Sequence, residues 1–161
     1  LHRAASFIIH NEHAYEVIMS TAWASERAAI VAVLNPINGN NAATPTTVFN
    51  ARSFKSYMAI LQVGVIDQVV DFKLQCSDAQ NGTYTDIPGK AITQIPGTGD
   101  NTQRIIDLKQ EEIPAGRPFV RALVTVGNGT SSLVNALVIG LEPRIGPGTD
   151  NDVSTIGQIV R

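Results

Sequence analysis

The stretch Val70-Asp71-Phe72-Lys73-Leu74-Gln75-Cys76-Ser77 alternates apolar and polar residues without a break. In an extended chain successive side chains point to opposite sides, so period two is the mark of a half-buried β-strand. Val70, Phe72, Leu74 and Cys76 are therefore expected to face a core, and Asp71, Lys73, Gln75 and Ser77 to face water. The same period recurs on both sides of this segment. Phe119 to Val126 turns Val120, Ala122, Val124 and Val126 one way and Phe119, Arg121, Leu123 and Thr125 the other. Ser56 to Ile66 sets Tyr57, Ala59, Leu61, Val63 and Val65 against Met58, Ile60 and Gln62, with Gly64 marking a bulge or a close approach. Ser132 to Leu141 is apolar on both faces: Leu133, Leu137, Ile139 and Leu141 on one, Val134, Ala136 and Val138 on the other. Such a strand is either central and covered or lies at a subunit contact.

Shorter runs complete the series. Ala28 to Leu34 ends at Asn35-Pro36, and Asn38 to Pro45 reads as a loop before a short strand at Thr46 to Phe49. Tyr84 to Ile87 and Lys90 to Ile95 are separated by Pro88-Gly89, and Arg104 to Leu108 follows the loop Pro96 to Asn101. Asp78 to Thr83, Glu111 to Gly116 and Gly127 to Thr130 supply turns. Short strands separated by regular turn signals, with no alternation of strands and helices, predict an all-β antiparallel sandwich of the jelly-roll kind. The domain is placed at residues 27–141, with extended arms at 1–26 and 142–161.

The 161 residues carry a net charge of −2 with 43% hydrophobic and 16% charged residues, which suits a single domain with its own core. No run of Lys or Arg supplies the positive surface that phosphate binding needs, so neither nucleic acid nor an anionic membrane is an expected partner. No apolar stretch approaches the length of a membrane span. The opening residues lack the apolar region of a signal peptide. Met19 opens a segment that reads like an ordinary protein start, so residues 1–18 are either an upstream extension or a true arm.

The three histidines, His2, His10 and His13, all lie in that segment. The His10–His13 spacing could place two ligands on one helical face, but no third ligand follows and solvated histidines are expected. Without a histidine in the domain, serine or cysteine catalysis lacks its base, and Cys76 is read as core filler. Gly97-Thr98-Gly99-Asp100 lacks the Gly-Lys-Thr and helix of a phosphate loop. Asp150-Asn151-Asp152 lacks the ligand spacing of a calcium loop. Asn81-Gly82-Thr83 and Asn128-Gly129-Thr130 match the glycosylation sequon, yet both sit where hairpin turns are wanted. No catalytic residue, metal site or cofactor is expected, and the chain is not read as an enzyme.

The segment Val70 to Gly89, the continuation Ala91 to Ile95, Asp100-Asn101 and Arg117 to Val126, the start Ser25 to Ala29 and the stretch Ser53 to Ile60 together resemble structural proteins of tailed-bacteriophage heads. The resemblance runs from about Met19 to Leu141 on turn-and-strand patterns. It implies a jelly-roll cement, or decoration, protein of the Bordetella-phage type, bound to the outside of an icosahedral capsid. Its implied partners are the major capsid protein and itself, as a homodimer or alternatively a trimer. Its implied place is the virion surface after synthesis in the bacterial cytoplasm. Leu133, Leu137, Ile139 and Leu141, Arg117, Phe119 and Arg121, and Val153, Ile156 and Ile159 in the tail are the candidate contact residues. A carbohydrate- or receptor-binding sandwich of a tail or fibre is the alternative, with Trp23, Tyr15, Tyr57 and Tyr84 as stacking platforms.

Overall fold

The alternation along Val70–Ser77 buries Val70, Phe72, Leu74 and Cys76 to 1% exposure or less, in a strand flanked by others on both sides. The computed structural model describes residues 23–146, 148, 151–152 and 154–160. The readings made on residues 1–18, on the three histidines and on Val153 fall outside them. After a single helical turn α1 (Ala24–Arg27), the strands are β1 (Ala28–Asn38), β2 (Ala42–Pro45), β3 (Phe49–Asn50), β4 (Phe54–Ile66), β5 (Val70–Ser77), β6 (Thr85–Ala91), β7 (Gln103–Lys109), β8 (Phe119–Val126) and β9 (Ser132–Pro143).

These strands form an all-β sandwich of two antiparallel sheets. The β9 sheet has the order β1-β9-β4-β7, and the β5 sheet the order β2-β8-β5-β6, with β3 also paired to β8. The core lies between them. Tyr57, Ala59 and Leu61 of β4, Ala136 and Val138 of β9 and Leu108 of β7 meet Phe72 and Leu74 of β5 and Val120, Ala122 and Val124 of β8 in one cluster of buried residues. Burying a side chain such as Phe72 or Leu61 contributes about 1.5–3 kcal/mol. At one end Tyr57 anchors an aromatic group, with ring centroids 4.9 Å from Phe49 and 6.1 Å from Phe54. The Phe54 ring lies so close over β9 that a Cβ at Gly140 would stand 2.5 Å from it, which is why that inward position carries no side chain.

The boundaries differ from the sequence reading where pairing partners decide. The expected loop Asn38 to Pro45 contains β2, because Ala42 to Pro45 pair with Leu123 to Val126 of β8. The strand expected at Thr46 to Phe49 shrinks to Phe49–Asn50. Thr46 and Thr47 instead cross between the sheets: the Thr46 amide donates to Ala122 and the Thr47 amide to Val33. β1 continues through Asn35-Pro36 with a register shift there, an arrangement a proline tolerates on an edge strand. Pro88-Gly89 does not divide β6, also an edge strand, where Gly89 takes a positive φ of 72°. In β4 the register shifts between Val63 and Ile66, so Val65 turns outward at 57% exposure and Ile66 takes its place inside. Gly64 is both bulge and close approach, since a Cβ there would lie 3.2 Å from that of Leu133.

Candidate functional site

Strand register decides which outward side chains become neighbours, and it gives the two outer faces opposite chemistry. On the β9 sheet, Ile30 of β1 pairs with Ile139 of β9, which pairs with Met58 of β4. One step along, Val33, Leu137, Ile60 and Ile105 form a row across all four strands. Leu141 lies beyond the first row, and Leu133 is 48% exposed near the opposite end. Polar residues bound these rows. Asn135 donates to Gln62 at 2.8 Å on one side, while Asp107 and Lys109 of β7 are exposed along the edge.

The outer face of the β5 sheet is a hydrogen-bonded polar network. Arg121 of β8 donates from Nε and Nη2 to Gln75 Oε1 at 3.0 and 2.9 Å, and its guanidinium lies 4.1 Å from the centre of the Tyr84 ring. Gln75 passes the contact on by donating to Asp86 at 2.8 Å, and Lys73 forms an ion pair with the same carboxylate at 2.8 Å. Hydrogen bonds from Lys73 and Gln75 hold the Asp86 carboxyl below the usual carboxylate range. Partial burial pushes the Tyr84 phenol up against the opposing pull of Arg121. Gln75 and Ser77, expected to face water, are 8% and 0% exposed because this network and the following turn cover them.

The C-terminal segment was read as an extended arm at 142–161. Its described part lies on its own domain, along the free edge of β1. The Gly148 amide donates to Glu26 at 2.7 Å, the Asp152 amide to Ile30 at 2.7 Å, and Asn151 accepts the Ile30 amide through its side chain at 3.1 Å. Thr47 donates to the Asp152 carboxylate at 2.7 Å. These bonds satisfy groups that an edge strand would otherwise present as a template for another chain. Asn151 and Asp152, weighed as calcium ligands in the sequence, spend their oxygens on this strap. Partial burial acts to raise the Asp152 pKa, but the bonds from Ser154 and Thr47 outweigh it and hold it low. Past the anchor the chain continues without regular structure, exposing Ile159 at 45% and Val160 at 83%.

The candidate contact residues thus fall in three separate places. Leu133, Leu137, Ile139 and Leu141 share the outer face of the β9 sheet. Phe119 and Arg121 lie on the opposite outer face, and Arg117, just before β8, donates to Thr85. Ile156 and Ile159 follow the strap. The guanidinium groups of Arg117 and Arg121 have partners within the chain. Ile30, Val33, Met58, Ile60 and Ile105 complete the apolar face without having been singled out. For Met58 and Ile60 the signal was present in the second apolar face of β4, whereas the others needed the register.

Chemistry-bearing groups are sparse. Cys76 is fully buried. Among the described residues no group of three His, Cys, Asp or Glu side chains could hold a metal ion. None of the helices there is long and apolar enough to cross a membrane. An open hollow of about 320 Å³ lies at the strap, lined by Val31, Thr47, Phe49, Phe54, Asn151 and Asp152 among others. At the opposite end from the aromatic group, Asp67 staples the β8–β9 turn, accepting the Thr130 amide at 2.6 Å, the Ser131 amide at 3.1 Å and both hydroxyls of Thr130 and Ser132. Those bonds lower its pKa from the ordinary 3.8 to about 2. A search against protein-family models and one against curated protein sequences both returned no match.

Proposed function

We propose that the chain is a structural virion protein that binds the outer surface of an icosahedral phage capsid and cements neighbouring major capsid subunits. The strand orders 1-9-4-7 and 2-8-5-6 support reading the sandwich as a jelly roll, with consecutive strands mostly alternating between sheets. The observation that carries the adhesion reading is the C-terminal segment, tied to β1 by Asn151 and Asp152 and then presenting Ile159 and Val160 to solvent. A rigid body with a fixed root and an exposed apolar end can grip a neighbouring subunit without reorganising its fold. A ligand that binds only the assembled lattice stabilises that lattice by linkage. Copies that engage more than one subunit gain from high effective concentration.

Truncation before Ser154 spares the strap and removes the exposed end. Loss of binding to assembled heads, with an unchanged melting temperature, is the expected result; undiminished binding removes the segment from the mechanism. Copy number in purified particles separates the alternative. Hundreds of copies per particle fit cement, and a handful fits a receptor- or carbohydrate-binding module of a tail. Of that module's aromatic platforms, Tyr84 already has Arg121 against its ring, and Tyr57 is 1% exposed.

A further inference from the structure

We infer that the hollow between Ala51-Arg52 and the β7–β8 corner receives an acidic side chain, Glu or Asp, from a partner protein. It lies at the end of the sandwich where Tyr57 anchors the aromatic group. After β7 the chain makes a 3-10 turn (Gln110–Glu112) and rounds a corner at Pro114 to Pro118 before entering β8. The Arg117 amide donates to Pro114 at 3.1 Å, and the Ala51 amide donates to Pro118 at 2.7 Å, which draws the corner against residues 51–52. Between them remains a hollow of about 140 Å³. Ile113, Pro114 and Pro118 give it a carbon wall, and Arg52 and Arg117 give it charge. Arg144 stands beside it: its amide donates to Ser53 at 2.9 Å, and its guanidinium donates to Gln110, another lining residue.

What marks the hollow as a site is unbalanced charge. The acids of this end are taken by lysines: Glu111 by Lys109, Glu112 by Lys90 and Glu142 by Lys55. None of Arg52, Arg117 and Arg144 forms an ion pair among the described residues. There the guanidinium groups of Arg117 and Arg144 bond only neutral acceptors, the Thr85 hydroxyl and the Gln110 amide oxygen, and that of Arg52 bonds none. Three distant parts of the chain thus bring positive charge to one hollow, in a protein whose net charge is −2. A guanidinium presents paired N–H donors that match the two oxygens of a carboxylate. The carbon wall favours an acidic side chain over a bare inorganic anion, because methylene groups gain from burial there. At about 140 Å³ the space is smaller than the roughly 300–1,000 Å³ of small-molecule sites and suits one side chain. This recognition needs only the chain and an acid, so it stands or falls apart from the capsid reading.

The arginine Nε–H NMR signals of the full chain test the site. The probe is an end-blocked penta-glutamate, with sulfate and phosphate as comparison anions at matched ionic strength. The expected result is millimolar binding of the peptide that shifts Arg52, Arg117, Arg144 and the Gly116 amide, while Arg104 on β7 stays in place. Arg52→Gln, at an exposed position, should weaken peptide binding about tenfold, the loss of one charge-assisted hydrogen bond. Arg104→Gln should leave binding unchanged. Thermal melting checks that both variants remain folded. Three arginine signals that do not move, equal shifts at Arg104, or binding unaltered by Arg52→Gln would each overturn the inference. So would sulfate or phosphate binding there more tightly than the peptide, since the hollow would then be a site for a compact anion.

Discussion

On their inner sides the two sheets are alike: Phe72 and Leu74 from one and Tyr57 and Leu61 from the other are all buried to 1% exposure or less. On their outer sides they diverge. The β5 sheet carries Lys73, Gln75, Arg121 and Asp86 in one bonded network, whereas the β9 sheet carries two rows of aliphatic side chains. Inner faces must match, because each is the other's solvent-excluding partner. Outer faces are free of that demand and can differ. A polar, self-satisfied face is finished in water. An aliphatic face has no such internal bonding to satisfy it in water.

The strongest way to break the inner likeness is to empty the core from either side. Phe72→Ala and Leu61→Ala should each destabilise by about 3–5 and 2–5 kcal/mol, measured by urea denaturation. A cost confined to one sheet would mean that the sheets do not share one core. Gly140→Ala comes next. The new methyl meets the Phe54 ring, and overpacking of this kind costs about 1–3 kcal/mol, visible as a lowered melting temperature.

The outer faces are then compared directly. Gln75→Ala removes bonds to Arg121 and Asp86 at a position 8% exposed and should cost about 1–2 kcal/mol. Ile60→Ala on the other sheet, measured in dilute protein, should cost less than about 1 kcal/mol, because its side chain is only partly buried. Equal losses would contradict the reading that one face is bonded internally and the other is not.

The smallest expected effect is a dependence on acid. Asp67, Asp86 and Asp152 all have carboxyls held below their ordinary range by hydrogen bonds. Each therefore contributes stability that is complete above the unfolded-state value near pH 4 and is lost as pH falls through the folded value. For Asp67 that window runs down to about pH 2. Asp67→Asn should flatten the fall in melting temperature between pH 4 and 2, and an unaltered slope would show that the β8–β9 staple contributes nothing.

Much of this architecture was legible from alternation alone. The inward residues of β5, β8 and β4 as far as Val63 read correctly because a strand covered on one face must place apolar residues at every second position. β9 announced itself as apolar on both sides, and the burial of Val134, Ala136 and Val138 in the core between the sheets gives the reason for the inner one. β2 was hidden because Ala42-Ala43-Thr44-Pro45 has no alternating pattern, and only backbone pairing with β8 makes it a strand. β6 was cut in two because proline and glycine usually end strands, a rule that relaxes on an edge.

The sequence by itself determined the class of fold, the inward residues of the long strands and the burial of Cys76, since these follow from local periodicity. Tertiary structure alone decided that Ile30, Met58, Ile60 and Ile105 join Leu137 and Ile139 in one surface. It also decided that Asn151 and Asp152 fasten the tail to β1. Which strands become neighbours, and in what register, is set by closing the two sheets over a shared core, and that closure involves residues far apart in the chain.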